Sequence, residues 1–113
     1  MKLSEYQREA HRTSLKASFG EGEMARLVYP TLKLAGEAGE FGEKVGKIIR
    51  DRAGHIGPDE REALRDELGD VMWYVAEVAT VLGLDLDDVG RRNLEKLRSR
   101  AERGVIQGSG DRR

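Results

Sequence analysis

Apolar residues recur along this chain at helical spacing. Leu34, Ala38, Phe41, Val45 and Ile48 follow one row, and Leu64, Leu68, Val71, Val75, Val78 and Leu82 follow a second. Steps of three and four residues place each row on one face of a helix. Ser4 can cap a first helix running to about Ala17, with Leu3, Tyr6, Ala10, Ser14 and Ala17 near one face. Pro30 suits a first helical turn, so the second helix is expected from Pro30 to Arg52; residues 23–29 fit either a loose turn or an extra helical turn. The third helix is expected from Pro58 or Asp59 to near Leu82. Asp85 can cap a fourth, from Leu86 to about Arg103, with Leu86, Val89, Leu94 and Leu97 facing inward. No stretch alternates as a strand would. The expected fold is all-α, an antiparallel four-helix bundle over residues 1–103, followed by a flexible tail at 104–113.

The second helix carries Gly36, Gly39, Gly42 and Gly46. Each costs a helix up to about 1 kcal/mol against alanine, so the set points to close approach by another backbone or by a ligand, the alternative being a frayed or kinked helix. Beside these glycines lies the acidic pair Glu37 and Glu40; the third helix carries Glu67 and Asp70. Each pair is spaced by three and borders its apolar row. Packing of the two rows would bring four carboxylates together. Two full charges about 5 Å apart repel by roughly 3 kcal/mol at an effective dielectric of 20. Raised pKa values or bound cations would relieve this, and oxygen donors without cysteine or a suitably placed histidine point to Mg²⁺ or Mn²⁺.

Composition narrows the classes. There are 20 basic and 21 acidic residues, net charge −1, and therefore no global field for a nucleic-acid polymer or a membrane surface. The chain has no cysteine, no apolar run of transmembrane length and no signal-peptide core, which together predict a cytoplasmic protein. Aromatics make up only 5 % of 113 residues, so association into a homodimer or homotetramer is expected.

Other readings compete for the same residues. Lys33, Lys44 and Lys47 share the side of the second helix that carries Glu37 and Glu40, as on an ordinary face of i,i+4 pairs. Glu43 continues the acidic row but rotates away from it. Asn93, Lys96 and Arg100 offer donors to phosphate oxygens, or simply a basic helix end that complements the macrodipole. Tyr74, one turn after Asp70, could stack on a base or fill the core. Trp73 points elsewhere, toward core or interface, and His11 and His55 lack partners at ligand or catalytic spacing.

These residues resemble the MazG-type all-α nucleoside triphosphate pyrophosphohydrolases. The likeness rests on Glu37-x-x-Glu40 and Glu67-x-x-Asp70, framed by Glu5-Tyr6-Gln7, by Leu34 to Glu40, by Glu67 to Tyr74, and by Asn93 to Leu97. Two departures stand out: Gly36 replaces an additional Glu found in many relatives, and Arg100-Ala101-Glu102 replaces an Arg-Tyr-Pro ending. The resemblance implies that Glu37, Glu40, Glu67 and Asp70 hold Mg²⁺. It further implies that Asn93 and Lys96 contact phosphate and that Tyr74 lines a base pocket. The implied reaction releases pyrophosphate and a nucleoside monophosphate, with Lys47, Lys96 and Arg100 steadying the departing charge. A phosphoribosyl-ATP pyrophosphohydrolase, or a non-catalytic helical module that binds a partner, are the alternatives.

Overall fold

The computed structural model describes residues 1–113 as four helices without strands: α1 (Leu3–Arg12), α2 (Glu23–Arg52), α3 (Pro58–Val81) and α4 (Leu86–Glu102). The chain is all-α and forms a helical bundle. Its spine is an antiparallel hairpin of α2 and α3, joined by a tight link in which Ala53 and Gly54 take positive φ values of 52° and 81°. α3 opens with Pro58 in its first turn, where a missing N–H costs nothing. α4 opens on Asp85, whose side chain accepts the Asp87 N–H at 2.8 Å, as a helix cap should.

α1 lies across the far end of the hairpin. Tyr6 packs against a small core of Ala76, Ala79 and Leu86, with Ala76 fully buried. Gln7 fastens this junction. Its amide donates to Thr80 Oγ1 at 3.2 Å and to the Leu84 carbonyl at 2.8 Å, and its oxygen accepts the Leu86 N–H at 2.9 Å. Ser4 does not cap α1; its hydroxyl instead reaches Asp87 at 2.7 Å, tying α1 to α4.

Two boundaries differ from those expected. α1 ends at Arg12, because the Thr13 hydroxyl returns to the Ala10 carbonyl and the Trp73 indole N–H holds Thr13 Oγ1 at 2.9 Å. Residues beyond Thr13 are therefore loop, not helix. α2 starts at Glu23, so Pro30 is inside it. Proline normally interrupts a helix interior, but Glu-Met-Ala-Arg-Leu ahead of it are good helix formers, and residues 23–29 extend the helix by nearly two turns.

The apolar rows are also less covered than the sequence suggests. Only nine of 113 residues are buried, while Leu68 (57 % exposed), Leu94 (51 %) and Leu97 (39 %) remain open to solvent. A Cβ built on Gly36, Gly39, Gly42 or Gly46 would meet nothing within 4 Å, so no other backbone of this chain approaches that face. The radius of gyration is 17.1 Å, against about 13 Å for a compact domain of this length. Past α4, residues 104–113 form no helix and fold back on its end, where the buried Arg100 guanidinium donates to the Asp111 carbonyl at 2.7 Å. No helix is long and apolar enough to cross a membrane.

Candidate active site

The hairpin sets α2 and α3 side by side, so that Glu37 on one faces Glu67 and Asp70 on the other. One carboxylate oxygen from each lies within 4.8 Å of the others. Glu67 is buried at 8 % exposure, Glu37 is half-buried and Asp70 is exposed, giving a site with a closed floor and an open side. Glu40 stands exposed beside Glu37 and outside that group of three.

The electrostatics are those of crowded negative charge. The Glu37 carboxyl is pushed above its usual range, first by burial, then by the charges of Glu40 and Asp70; Lys33, 3.9 Å away, offsets only part of this. The Lys44 ammonium sits 3.0 Å from Glu67 Oε1 and is itself pushed up by that partner. Lys44 thus bridges the two helices instead of pairing with Glu40. Glu37 Oε2 and Glu67 Oε2 are buried without any hydrogen-bond partner. Unpaired buried carboxylate oxygens are costly, and such oxygens within a cluster of three carboxylates fit a hard divalent cation, which takes oxygen donors of this kind.

The carboxylates open into a cavity of about 710 Å³. Glu37 and Asp70 line it, and Tyr29, Trp73 and Tyr74 contribute aromatic surface to its walls. The Trp73 and Tyr74 rings meet edge to face at 4.8 Å, with the Lys33 ammonium 6.0 Å from the Tyr74 ring. Burial, and then the neighbouring Tyr29, raise the Tyr74 hydroxyl above its usual pKa.

The remaining expected site residues lie elsewhere within one chain. Asn93 and Lys96 border a separate groove with Leu84, Asp88 and Arg92. Lys96 also pairs with Asp111 at 3.4 Å, and Arg100 turns under the tail. Lys47 is 3.5 Å from the exposed Glu43, on the outer side of α2. The chain brings together Glu37, Glu67, Asp70 and Tyr74, but not the cations of α4.

Three cavity residues escape a reading of spacing. Trp73 lines the cavity, not the core. His11 is not partnerless: its Nδ1 lies 3.1 Å from Glu77 Oε1. Glu77, 6 % exposed, had one available signal, as the single charge within the apolar run from Val71 to Leu84.

Comparison with known proteins agrees with this geometry. The MazG nucleotide pyrophosphohydrolase domain matches residues 30–105, which hold both acidic pairs. The chain belongs to the MazG family. It is also 49 % identical, over 114 aligned residues spanning the whole of both chains, to the Gene 37 protein of Mycobacterium phage L5. No solved structure matches it. As a MazG domain, the chain is a nucleotide pyrophosphohydrolase by family. The MazG match begins at residue 30, so α1 and its side of the cavity fall outside it.

Proposed function

We propose that the protein hydrolyses nucleoside or deoxynucleoside triphosphates between the α- and β-phosphates, with Mg²⁺ as cofactor and Mn²⁺ as substitute. The observation that carries this reading is the meeting of Glu37, Glu67 and Asp70 beside an aromatic-lined cavity that Glu37 and Asp70 border. Those three carboxylates, with Glu40 alongside, would hold the metal. When bound, a divalent ion supplies positive charge for the triphosphate and lowers the pKa of a water. Water attacks the α-phosphorus, the bond to the bridging oxygen breaks, and pyrophosphate leaves with that electron pair. One motif carboxylate accepts the water's proton. Tyr74, with Tyr29 and Trp73, offers ring surface for the base.

The leaving group's charge needs cations that one chain does not bring to the site. The accessible surface is 8329 Å², where a folded monomer of 12.6 kDa exposes about 6,200 Å². The excess, about 2,100 Å² per chain, is on the scale of an obligate interface. A homodimer or homotetramer accounts for it and would bring Asn93 and Lys96 of α4, or Lys47, to a neighbouring chain's carboxylates. Such a small metabolic enzyme would work in the cytoplasm.

The test is direct. The purified protein is incubated with each NTP and dNTP, with Mg²⁺ or with EDTA, and products are resolved. Pyrophosphate and monophosphate in equal amounts, only with metal, are expected. Orthophosphate alone, or no product, overturns the proposal.

A further inference from the structure

The cavity holds a polar pair that the hydrolytic centre does not use. Glu77 is seven residues beyond Asp70 on α3, two turns along the same face and about 10 Å farther along the helix. Its side chain is only 7 % exposed yet borders the cavity. His11, from α1, approaches it with Nδ1 at 3.1 Å from Oε1 and 3.4 Å from Oε2. A carboxylate can only accept, so Nδ1 carries the shared proton. One imidazole proton leaves most of the carboxylate's lone pairs without a donor. A carboxylate buried to this extent is costly unless something completes its hydrogen bonds. The nearby Thr80 hydroxyl does not, because it donates to the Ala76 carbonyl and accepts from Gln7.

We infer that Glu77, positioned by His11, reads the base and selects those that present N–H donors to it, guanine foremost. This rests on the pyrophosphohydrolase reading above, in which the triphosphate lies at Glu37 and Asp70. Trp73, Tyr74 and Glu77 line the same cavity as Glu37 and Asp70, so a nucleoside extending along it from the triphosphate would meet those rings and bring its base edge to Glu77. Among the common bases, guanine alone sets a ring N–H beside an exocyclic amine, matching the two oxygens of a carboxylate as a guanidinium does. Adenine and cytosine offer one amine each. Thymine and uracil flank their single N–H with two carbonyl oxygens, which would face the buried carboxylate with repulsion. A site built around a buried hydrogen-bonding group discriminates strongly against ligands that leave it unpaired.

The experiment compares kcat/KM for dGTP, dTTP and dUTP in the wild type and in Glu77→Gln, with folding followed by circular dichroism. The wild type is expected to favour dGTP by at least about tenfold. In Glu77→Gln the ratio should fall toward one, mainly through the loss of dGTP turnover. His11→Gln should lower the same ratio less, and a merely structural role would lower all substrates alike. Equal turnover of the three by the wild type, or an unchanged ratio in Glu77→Gln, overturns the inference. Calorimetry with guanosine and thymidine on the wild type gives an answer that needs neither hydrolysis nor a folded variant. Tighter guanosine binding supports the assignment, and equal binding overturns it. Absence of pyrophosphate from every nucleotide would instead defeat the hydrolytic reading.

Discussion

Replacement of Glu37 by glutamine separates metal binding from simple surface charge. In metal-free protein, Glu37 faces Glu67 and Asp70 within 4.8 Å, and each such pair repels by roughly 3 kcal/mol at an effective dielectric of 20. Lys33 at 3.9 Å, and solvent around the exposed Asp70, remove most of that. A net repulsion of about 1 kcal/mol remains, so Glu37→Gln should raise stability in EDTA by about that amount. The sign agrees with the raised pKa of Glu37, which reports a native state that disfavours its charge. With Mg²⁺ at a hundred times its Kd, the wild type gains about 2.7 kcal/mol. For a chain of this length, that is a rise in Tm of roughly 10 °C. Glu37→Gln should lose most of it. The two proteins therefore exchange order: the variant melts higher in EDTA, and the wild type higher in Mg²⁺. Thermal melts followed at 222 nm read both arms. If Mg²⁺ leaves the wild-type Tm unmoved, or if the variant keeps the full gain, these carboxylates do not form a metal site.

Three other outcomes follow from particular contacts. Gln7→Ala removes three hydrogen bonds that join α1 to the α3–α4 turn, and should cost about 2 kcal/mol in denaturant melts; no change would remove Gln7 from the junction. The Ser4 hydroxyl holds the Asp87 carboxyl below its usual range, so its stabilising effect should be complete above the ordinary carboxylate pKa, about 3.9, and lost as pH falls through the lowered native value. The stability gap between wild type and Asp87→Asn should accordingly be present at pH 7 and vanish in strong acid. Light scattering coupled to size exclusion should give at least twice 12.6 kDa; a monomer at micromolar concentration would refute the area argument.

Much of the fold is legible in local chemistry. Pro58 and Asp85 mark helix starts by mechanisms confined to one turn, and α3 and α4 begin as those residues dictate. Pro30 misleads because helix formers before it outweigh the residue's preference for a first turn. α1 stops at Arg12 through a bond from Trp73, sixty residues away, which no local pattern encodes. At the site, spacing finds Glu37, Glu67 and Asp70 because a helical period acts on both sides of one hairpin. Spacing also groups Glu40 with them, whereas its side chain stands at the exposed edge. Glu77 and His11 come together only because α1 crosses α3, which is tertiary information.

The residues that spacing misses have a common location. Gln7, His11, Thr13 and Trp73 all belong to the contact of α1 and its C-terminal end with α3, and His11, Thr13 and Trp73 line the cavity there. On the proposed reading, hydrolysis and base choice would fall to different helix pairs: α2 with α3 at the carboxylates, α1 with α3 at Glu77. A substitution on α1 changes the cavity wall without touching the charges at Glu37, Glu67 and Asp70. Thr13→Val makes the point testable, since it deletes the acceptor of the Trp73 N–H at 2.9 Å, an exposed contact, at a cost of about 0.5–1.5 kcal/mol. The loop after α1 and the Trp73 ring should loosen together. KM for any nucleotide turned over should rise several-fold, while the Mg²⁺-dependent gain in Tm stays at its wild-type size. If Thr13→Val instead abolishes that gain and leaves KM unchanged, the two ends of the cavity are not independent, and the division of labour between the helix pairs is wrong.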